Sequence, residues 1–254
     1  MKITFLGTGT SQGVPIIGCR CYVCTSENPK DKRLRSSVLV QTQGKNIVVD
    51  SGPDFRQQML STGIQRLDAL LITHAHKDHI AGLDDIRGFN FIQKEAIDVY
   101  CTAQVETQLR SEFAYIFAEH RYPGIPELNL HNIHNDVVFE AAGVEVIPVE
   151  VLHYRLPVMG FVFGKFAYIT DANYISPKEI EKLKGCHTLV LNALRIEEHI
   201  SHFTLQQAID MVNVIKPERA YFTHISHQLG LHEEVGQALP PNIFLAYDHL
   251  TIEI

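Results

Sequence analysis

A short run of metal-binding side chains directly after an apolar stretch constrains this chain more than any other feature. The run is Thr73-His74-Ala75-His76-Lys77-Asp78-His79. The apolar stretch 69–73, which leads into the first histidine, predicts a buried strand. His74 and His76 are two residues apart, so they point the same way on an extended segment. Asp78 and His79 follow as the chain turns, and they can face a second position nearby. Imidazole and carboxylate groups are ligands for zinc, manganese or iron, so the run predicts a metal site.

Four ligands cannot complete the coordination of two metals, so distant residues must supply the rest. The run resembles the H-x-H-x-D-H signature of the metallo-β-lactamase superfamily, and this resemblance implies that the distant residues are Asp50, His153, Asp171 and His224. Each stands just beyond a predicted strand, as a residue at the rim of a sheet must. The alternatives are a turn-forming aspartate at Asp50 and buried core histidines at His153 and His224.

The pattern H-x-H-x-D-H after a strand, together with these distant residues, resembles the metallo-β-lactamase superfamily over nearly the whole chain. The resemblance implies an α+β fold, the αββα sandwich, in which two packed mixed β-sheets carry helices on their outer faces. It also divides the ligands between two metals: one set is His74, His76 and His153, and the other is Asp78, His79 and His224. In this scheme Asp171 bridges both metals, and Asp50 orients the histidine loop without binding a metal.

A cysteine cluster predicts a third metal site. Three of the five cysteines lie within six residues, at Cys19, Cys21 and Cys24. This spacing suits a metal knuckle better than a disulfide framework. Three thiolates need a fourth ligand for a closed zinc site, and the candidates are His227 and, as an alternative, His232. Three unmetallated cysteines in a loop are the other interpretation, whereas Cys101 and Cys186 are expected to be inert core thiols.

Three segments in the first 56 residues point to one group within this superfamily. Residues 5–15 (Phe-Leu-Gly-Thr-Gly-Thr-Ser-Gln-Gly-Val-Pro), the cysteine cluster and residues 50–56 (Asp-Ser-Gly-Pro-Asp-Phe-Arg) resemble the PhnP group of phosphodiesterases. That group cleaves cyclic sugar phosphates and other phosphodiesters, and its three cysteines and a late histidine bind a structural zinc. The glycine-rich run 7–13 either offers N–H groups to a phosphate or forms a tight turn.

His202 is the remaining candidate for the site. His202 and Thr204 resemble the H-x-T element of phosphodiesterases and tRNA 3′-processing nucleases, in which the histidine contacts the phosphate or protonates the leaving group. A surface histidine at the start of a helix is the alternative, and His199 is a second candidate. We assign catalytic roles to His202 and Asp78.

These features predict a metal-dependent hydrolase. The most specific interpretation is a phosphodiesterase that cleaves a small phosphodiester or cyclic phosphate with a hydroxide held between two divalent metals, zinc or manganese, beside one structural zinc. A tRNA 3′-processing endonuclease shares most motifs but needs a basic RNA-docking arm. A thioester or lactone hydrolase shares the metals without needing His202. A non-catalytic metal-binding protein is the alternative of a different class. However, all seven active-site ligand positions hold residues that can bind a metal.

The composition of the chain limits which binding partners and which cellular location we expect. The chain has 22 basic and 29 acidic residues and a net charge of −7, so we expect a small-molecule substrate and no long-range attraction to nucleic acid, although a local basic patch is allowed. Apolar runs stay shorter than the roughly 18 residues of a membrane helix. Glycine interrupts the first residues too soon for a signal peptide. We therefore expect a cytoplasmic protein without a membrane partner.

The organisation of the chain is simple. We expect residues 1–254 to form a single domain, with the zinc knuckle inserted at about 17–30. The segment 89–136, which includes Arg121 and Tyr122, is expected to form much of the pocket wall. A homodimer is compatible with the sequence.

Overall fold

The computed structural model describes residues 1–120 and 122–254. In these residues the strands are β1 (Lys2–Gly7), β2 (Ser37–Thr42), β3 (Lys45–Val49), β4 (Ala69–Leu71), β5 (Ile97–Cys101), β6 (Leu128–Asn132), β7 (Phe139–Ala141), β8 (Val144–His153), β9 (Leu156–Phe163), β10 (Phe166–Tyr168), β11 (Tyr174–Ile175), β12 (Thr188–Asn192), β13 (Arg219–Thr223), β14 (Ile243–Leu245) and β15 (Thr251–Glu253). The α-helices are α1 (Phe55–Thr62), α2 (Lys77–Ile80), α3 (Arg87–Gln93), α4 (Ala103–Glu112), α5 (Pro177–Leu183), α6 (Leu205–Ile215) and α7 (His232–Ala238).

The strands form two sheets. The first has the order β15-β1-β2-β3-β4-β5-β6, and the second has the order β11-β8-β9-β10-β12-β13-β14, with β7 paired to β8. Strands β3 to β6 run parallel to one another, and so do β10, β12, β13 and β14. Parallel strands end at the same edge of a sheet, so the residues that follow them are brought close together.

Three apolar layers hold the sheets and helices together. In β4, Ala69 and Leu71 join the core between the two sheets, whereas Leu70 joins the core under the outer helices of the first sheet. In β12, Val190 faces the core between the sheets, and Leu191 faces the outer layer that includes residues of α6. Both sheets are therefore covered on both faces, which is the predicted αββα sandwich.

Local signals fix several element ends. Helix α5 begins at Pro177 after Ser176, whose side chain accepts the N–H of Glu179. Helix α1 ends at Gly63, which adopts the left-handed conformation with φ of 66°. None of the described helices has the length and apolar character that a membrane span requires.

That the segment 89–136 forms much of the pocket wall stays a prediction. Part of this segment forms β5, α4 and β6, which extend the first sheet to its edge. Its link to the histidine loop is the ion pair between Glu112 and Lys77, and Tyr115 donates a hydrogen bond to Asp84 nearby. Arg121, the cation expected in the pocket wall, lies outside the described residues.

Candidate metal centre

The predicted site residues meet at the edge of the sandwich where strands of both sheets end. Most follow a strand by a few residues or end one; they are Asp50 after β3, His74 and His76 after β4, His153 at the end of β8, Asp171 after β10 and His224 after β13. Asp78 and His79 lie in the short helix α2. Gly52 allows this helix to approach, because a Cβ there would lie 2.1 Å from the carbonyl oxygen of Asp78.

One group consists of three histidines. The ligand atoms of His74, His76 and His153 all lie within 4.8 Å of one another. Nε2 of His74 is 2.9 Å from Nδ1 of His76. Nδ1 of His153 lies 2.8 Å from the carbonyl oxygen of Ser201 and must donate to it, which leaves Nε2 as the atom with a free lone pair.

A second group adjoins the first. It contains Asp78, His79, Asp171 and His224, again within 4.8 Å of one another. Nε2 of His79 lies 3.1 Å from Oδ2 of Asp78 and 3.2 Å from Oδ2 of Asp171. Nε2 of His224 lies 3.1 Å from Oδ1 of Asp171. Asp171 also belongs to a third group with His153 and His202, so its carboxylate stands between the two sets of histidines.

Asp50 determines which nitrogen atoms face these groups. Its Oδ2 accepts the Nδ1–H of His79 at 2.7 Å, and its carboxylate also accepts the hydroxyl of Thr73. The Thr73 oxygen can then accept the Nδ1–H of His74 at 3.0 Å. Both imidazoles therefore present Nε2 lone pairs to the site. Asp50 itself is fully buried and contacts His79 on the side of the ring that faces away from the two carboxylates. These contacts are the ones expected of a residue that orients the histidine loop.

The donor set fits metal cations. Nε2 of His79 is buried, has no hydrogen-bond partner in the described residues, and points a lone pair at two carboxylates. Burial lowers the pKa of His79, but the carboxylates of Asp78, Asp50 and Asp171 outweigh it and raise this pKa well above its ordinary value. The field at this nitrogen thus favours a positive charge, which a divalent cation can provide.

The cysteine cluster also forms one group. The Sγ atoms of Cys19, Cys21 and Cys24 lie 3.5, 3.2 and 3.5 Å from Nδ1 of His227. The N–H of Cys24 lowers the pKa of Cys21 to about 6, whereas burial raises the pKa of Cys24 to about 11. A cation bound by this group would compensate the negative charge of its thiolates. The set has the composition of a structural zinc site.

The alternative ligand His232 lies elsewhere. Its Nδ1 is 3.2 Å from Nη2 of the buried Arg33 and accepts a hydrogen bond from it. Its ring meets Tyr247 edge to face, and its backbone N–H donates to Oδ1 of Asp31 at 2.7 Å. The structure therefore brings His227, not His232, to the three thiols.

His202 lies inside the centre rather than beside it. Its Nε2 is 3.0 Å from Oδ1 of Asp171, and its Nδ1 is 3.1 Å from both Oγ of Ser201 and Nδ1 of His199. Thr204 caps helix α6 through a capping box and so fixes the chain just after His202. A surface histidine is thereby excluded, because His202 is only 8% exposed.

The glycine-rich run 7–13 forms a tight turn. The N–H groups of Gly9, Thr10 and Gly13 donate to the carbonyls of Leu34, Ile225 and Thr10, so they are not available to a phosphate. Gly7 is required for close packing, since a Cβ there would lie 2.0 Å from the carbonyl oxygen of Arg35.

Several contacts of the centre carry no sequence signal. Ser36 reaches His224, with Oγ 3.3 Å from Nδ1, and the carbonyl of Ser201 orients His153. Ser36 stands in a segment without a recognisable motif. Ser201 and Thr73 could have been found from their positions next to His202 and His74.

Comparisons with known proteins agree with this geometry. A family model described as a beta-lactamase superfamily domain matches residues 45–225. Octanoyltransferase from Porphyromonas gingivalis (strain ATCC BAA-308 / W83) is 44% identical over 252 residues, which cover 98% of this chain and 51% of that protein. This chain thus spans about half the length of that curated relative.

Two solved structures share the fold. A crystal structure of a new diphosphatase from the PhnP family has a TM-score of 0.92 and 42% identity, and the match covers 100% of this chain and 97% of that one. Zn²⁺-bound PqqB from Methylobacterium extorquens has a TM-score of 0.80 and 19% identity, and the match covers 100% of both chains. The chain resembles the PhnP group and belongs to the metallo-β-lactamase superfamily of metal-dependent hydrolases.

Proposed function

We propose that this chain is a phosphodiesterase that hydrolyses a small phosphodiester or cyclic phosphate. The observation that carries the proposal is the position of His202, whose Nε2 lies 3.0 Å from the same carboxylate that joins the two ligand groups. Two adjacent cation positions and a proton donor are the groups that phosphodiester cleavage needs. The similarity to a PhnP-family diphosphatase at 42% identity supports this class of reaction.

The residues that would hold the metals follow from the two groups. His74, His76 and His153 would hold one divalent cation, Asp78, His79 and His224 would hold the other, and Asp171 would contact both. Cys19, Cys21, Cys24 and His227 would hold a structural zinc. When bound, two divalent cations lower the pKa of a shared water molecule and attract the oxygens of a phosphate.

The chain's own residues prepare the rest of the reaction. Asp50 and Thr73 keep the protons of His79 and His74 away from the site. His202 keeps an N–H at Nε2, where it donates to Asp171, and can pass that proton to the departing alkoxide. Asp78, which we assigned a catalytic role, lies in the ligand group and helps to position the reacting phosphate through the metal that it would hold.

A second candidate is the hydrolysis of a thioester, an acyl ester or a lactone. It is favoured by the similarity to the P. gingivalis protein named octanoyltransferase. That name describes a protein about twice as long as this chain, so either half could carry the acyl chemistry. A thiolate leaves without protonation, so this reaction does not explain the place of His202.

A tRNA 3′-processing endonuclease is the third candidate. It would need basic side chains along an RNA-docking surface, because phosphate contacts dominate the affinity for nucleic acid. The net charge of −7 does not favour such a surface.

The experiment is a substrate panel. Protein loaded with zinc or manganese is assayed on bis(p-nitrophenyl) phosphate, a cyclic nucleotide, an octanoyl thioester, a lactone and a precursor tRNA. The proposal expects the highest kcat/KM on a phosphodiester or cyclic phosphate. Turnover of the thioester or lactone alone would favour the second candidate and reject the proposal.

A further inference from the structure

A cavity of about 600 Å³ lies apart from the metal centre. Its walls come from segments that are distant in the sequence, namely residues 14–15, 29–34 and 247–249, together with Gln57 of α1. None of the described residues that line it belongs to the metal-ligand groups. A concave site of this size is typical of a place where a small molecule binds.

Two lysines in the cavity wall carry positive charges that no carboxylate neutralises directly. They are Lys30 and Lys32. In the part of the chain that the structure describes, the lysines that pair with a carboxylate are Lys45, Lys77, Lys178, Lys182 and Lys184. Nζ of Lys32 donates to the carbonyl of Cys24 at 3.2 Å, which holds this ammonium in place and leaves its other N–H groups for a ligand.

The carboxylate of Asp248 in the same wall is already engaged. Its Oδ1 accepts the hydroxyl of Thr8 at 2.7 Å, and its Oδ2 accepts the N–H of Leu34 at 2.6 Å. Burial raises the pKa of Asp248 to about 6, although these hydrogen bonds and the charge of Arg33 oppose the shift. Because Arg33, which also lines the cavity, compensates Asp248, the two lysines give the cavity a net positive charge.

A histidine next to the cavity is subject to the same positive charge. Burial, Arg33 and Lys30 together lower the pKa of His232 to about 4. The whole chain has a net charge of −7, so this positive region differs in sign from the average of the protein. A local positive charge of this kind attracts anionic ligands.

Apolar groups form the other part of the wall. Nζ of Lys30 lies 4.9 Å from the centre of the half-buried Tyr247 ring, which is a cation–π contact. Pro15 and Pro29 add rigid apolar surface. A ligand that matches this cavity therefore needs an anionic group for the lysines and a small apolar body for the ring and the prolines.

We propose that this cavity binds a small organic phosphate, whose phosphate dianion contacts Lys30 and Lys32 and whose organic group packs against Tyr247. Lysine ammonium groups bind phosphate as point charges, and two of them match a dianion better than the single charge of a carboxylate. Because the cavity is separate from the metal centre, the proposal does not depend on the phosphodiesterase function.

The probe for this site is phenylphosphonate. At about pH 8 it is a phosphate-like dianion, it carries an apolar ring, and it has no ester bond to hydrolyse. It is titrated into zinc-loaded, isotope-labelled protein while the backbone amide NMR signals are followed. The amides of residues 30, 32 and 247 monitor the cavity, and those of residues 76 and 202 monitor the metal centre. We expect the cavity amides to shift and saturate, whereas shifts at the metal centre alone would overturn the proposal.

The lysine charge is tested by substitution. Lys30→Gln should raise the Kd measured at the cavity amides by about 10-fold, the lower end of the range for a charge-assisted hydrogen bond, because Lys30 is only half-buried. Lys30→Arg keeps the charge and should stay within about threefold of the wild type. Lys165→Gln is the matched control, since Lys165 is exposed and lies in the turn between β9 and β10. Equal Kd values for Lys30→Gln and Lys165→Gln would overturn the proposal.

Two further probes separate the parts of the ligand. Benzyl alcohol has the ring without the charge, and inorganic phosphate has the charge without the ring. Each should bind at the cavity amides about 10-fold more weakly than phenylphosphonate, or not at all. Benzyl alcohol that binds as tightly would show an apolar cavity without recognition of an anion. Inorganic phosphate that binds as tightly would show an anion site without a place for the organic group, and either result would overturn the proposed class of ligand.

Discussion

Replacing Asp50 by asparagine should weaken metal binding without disturbing the backbone. Asparagine has the size of aspartate and tolerates the φ of 67° at this position. It has only one oxygen, however, and the carboxylate of Asp50 accepts hydrogen bonds from both Thr73 and His79. If the remaining oxygen stays with Thr73, the amide N–H₂ group faces Nδ1 of His79. The proton of His79 must then move to Nε2, the atom that faces Asp78 and Asp171.

The size of the effect follows from these contacts. Loss of a hydrogen-bond partner behind a metal-binding histidine costs about 10- to 100-fold in metal affinity. This corresponds to about 1.4–2.7 kcal/mol for the metal that Asp78, His79 and His224 would hold. The metal that His74 would hold should be less affected, because Thr73 stands between His74 and Asp50.

The assay is titration of metal-free protein with zinc against a chromophoric chelator. Thr73→Val should show the opposite selectivity, because it removes the acceptor for His74 but leaves the bond between Asp50 and His79. Asp68→Asn is the control, since Asp68 is a nearly buried aspartate just before β4, at its other end. Unchanged affinity at both positions in Asp50→Asn would refute the reasoning about the proton of His79.

Two further predictions concern the surroundings of the centre. Cys21→Ser should lower elemental metal content from about three to about two per chain and reduce the free energy of unfolding, whereas Cys101→Ser should keep the metal. Burial lowers the pKa of His232 to about 4, so the stability linked to its neutral form is present above pH 6.5 and is lost as the pH falls towards 4. The free energy of unfolding, measured in urea, should therefore fall less for His232→Gln than for the wild type between about pH 7.5 and about pH 5. An equal loss would exclude His232 as the cause.

The fold and the clustering of the candidate ligands were predictable because metal coordination limits both residue type and position. A histidine run after an apolar strand, with His153, Asp171 and His224 after later strands, already specifies an edge where strand ends meet. The capping residues Ser176 and Thr204 are equally local signals, and the structure places both at the start of helices.

Other features depend on contacts between distant segments, which a single sequence does not contain. His202 and Asp171 are 31 residues apart, and Ser36 and His224 are 188 residues apart. Their proximity follows only from the packing of the two sheets. Strand β5 and the edge strand β6 were not recognised either; in β6 only short alternation is present, with His131 and Asn132 exposed.

The most direct test of the proposed phosphodiesterase is the replacement of His202 by alanine. An alkoxide is a basic leaving group and needs a proton, so kcat on an alkyl phosphodiester should fall by roughly 10²–10⁴-fold. On an activated aryl diester the loss should be much smaller, and the metal content should stay constant. Because His202 contacts Asp171, metal content must be measured in the same samples. Equal losses on both diesters, or loss of metal, would contradict the role of His202 as the proton donor.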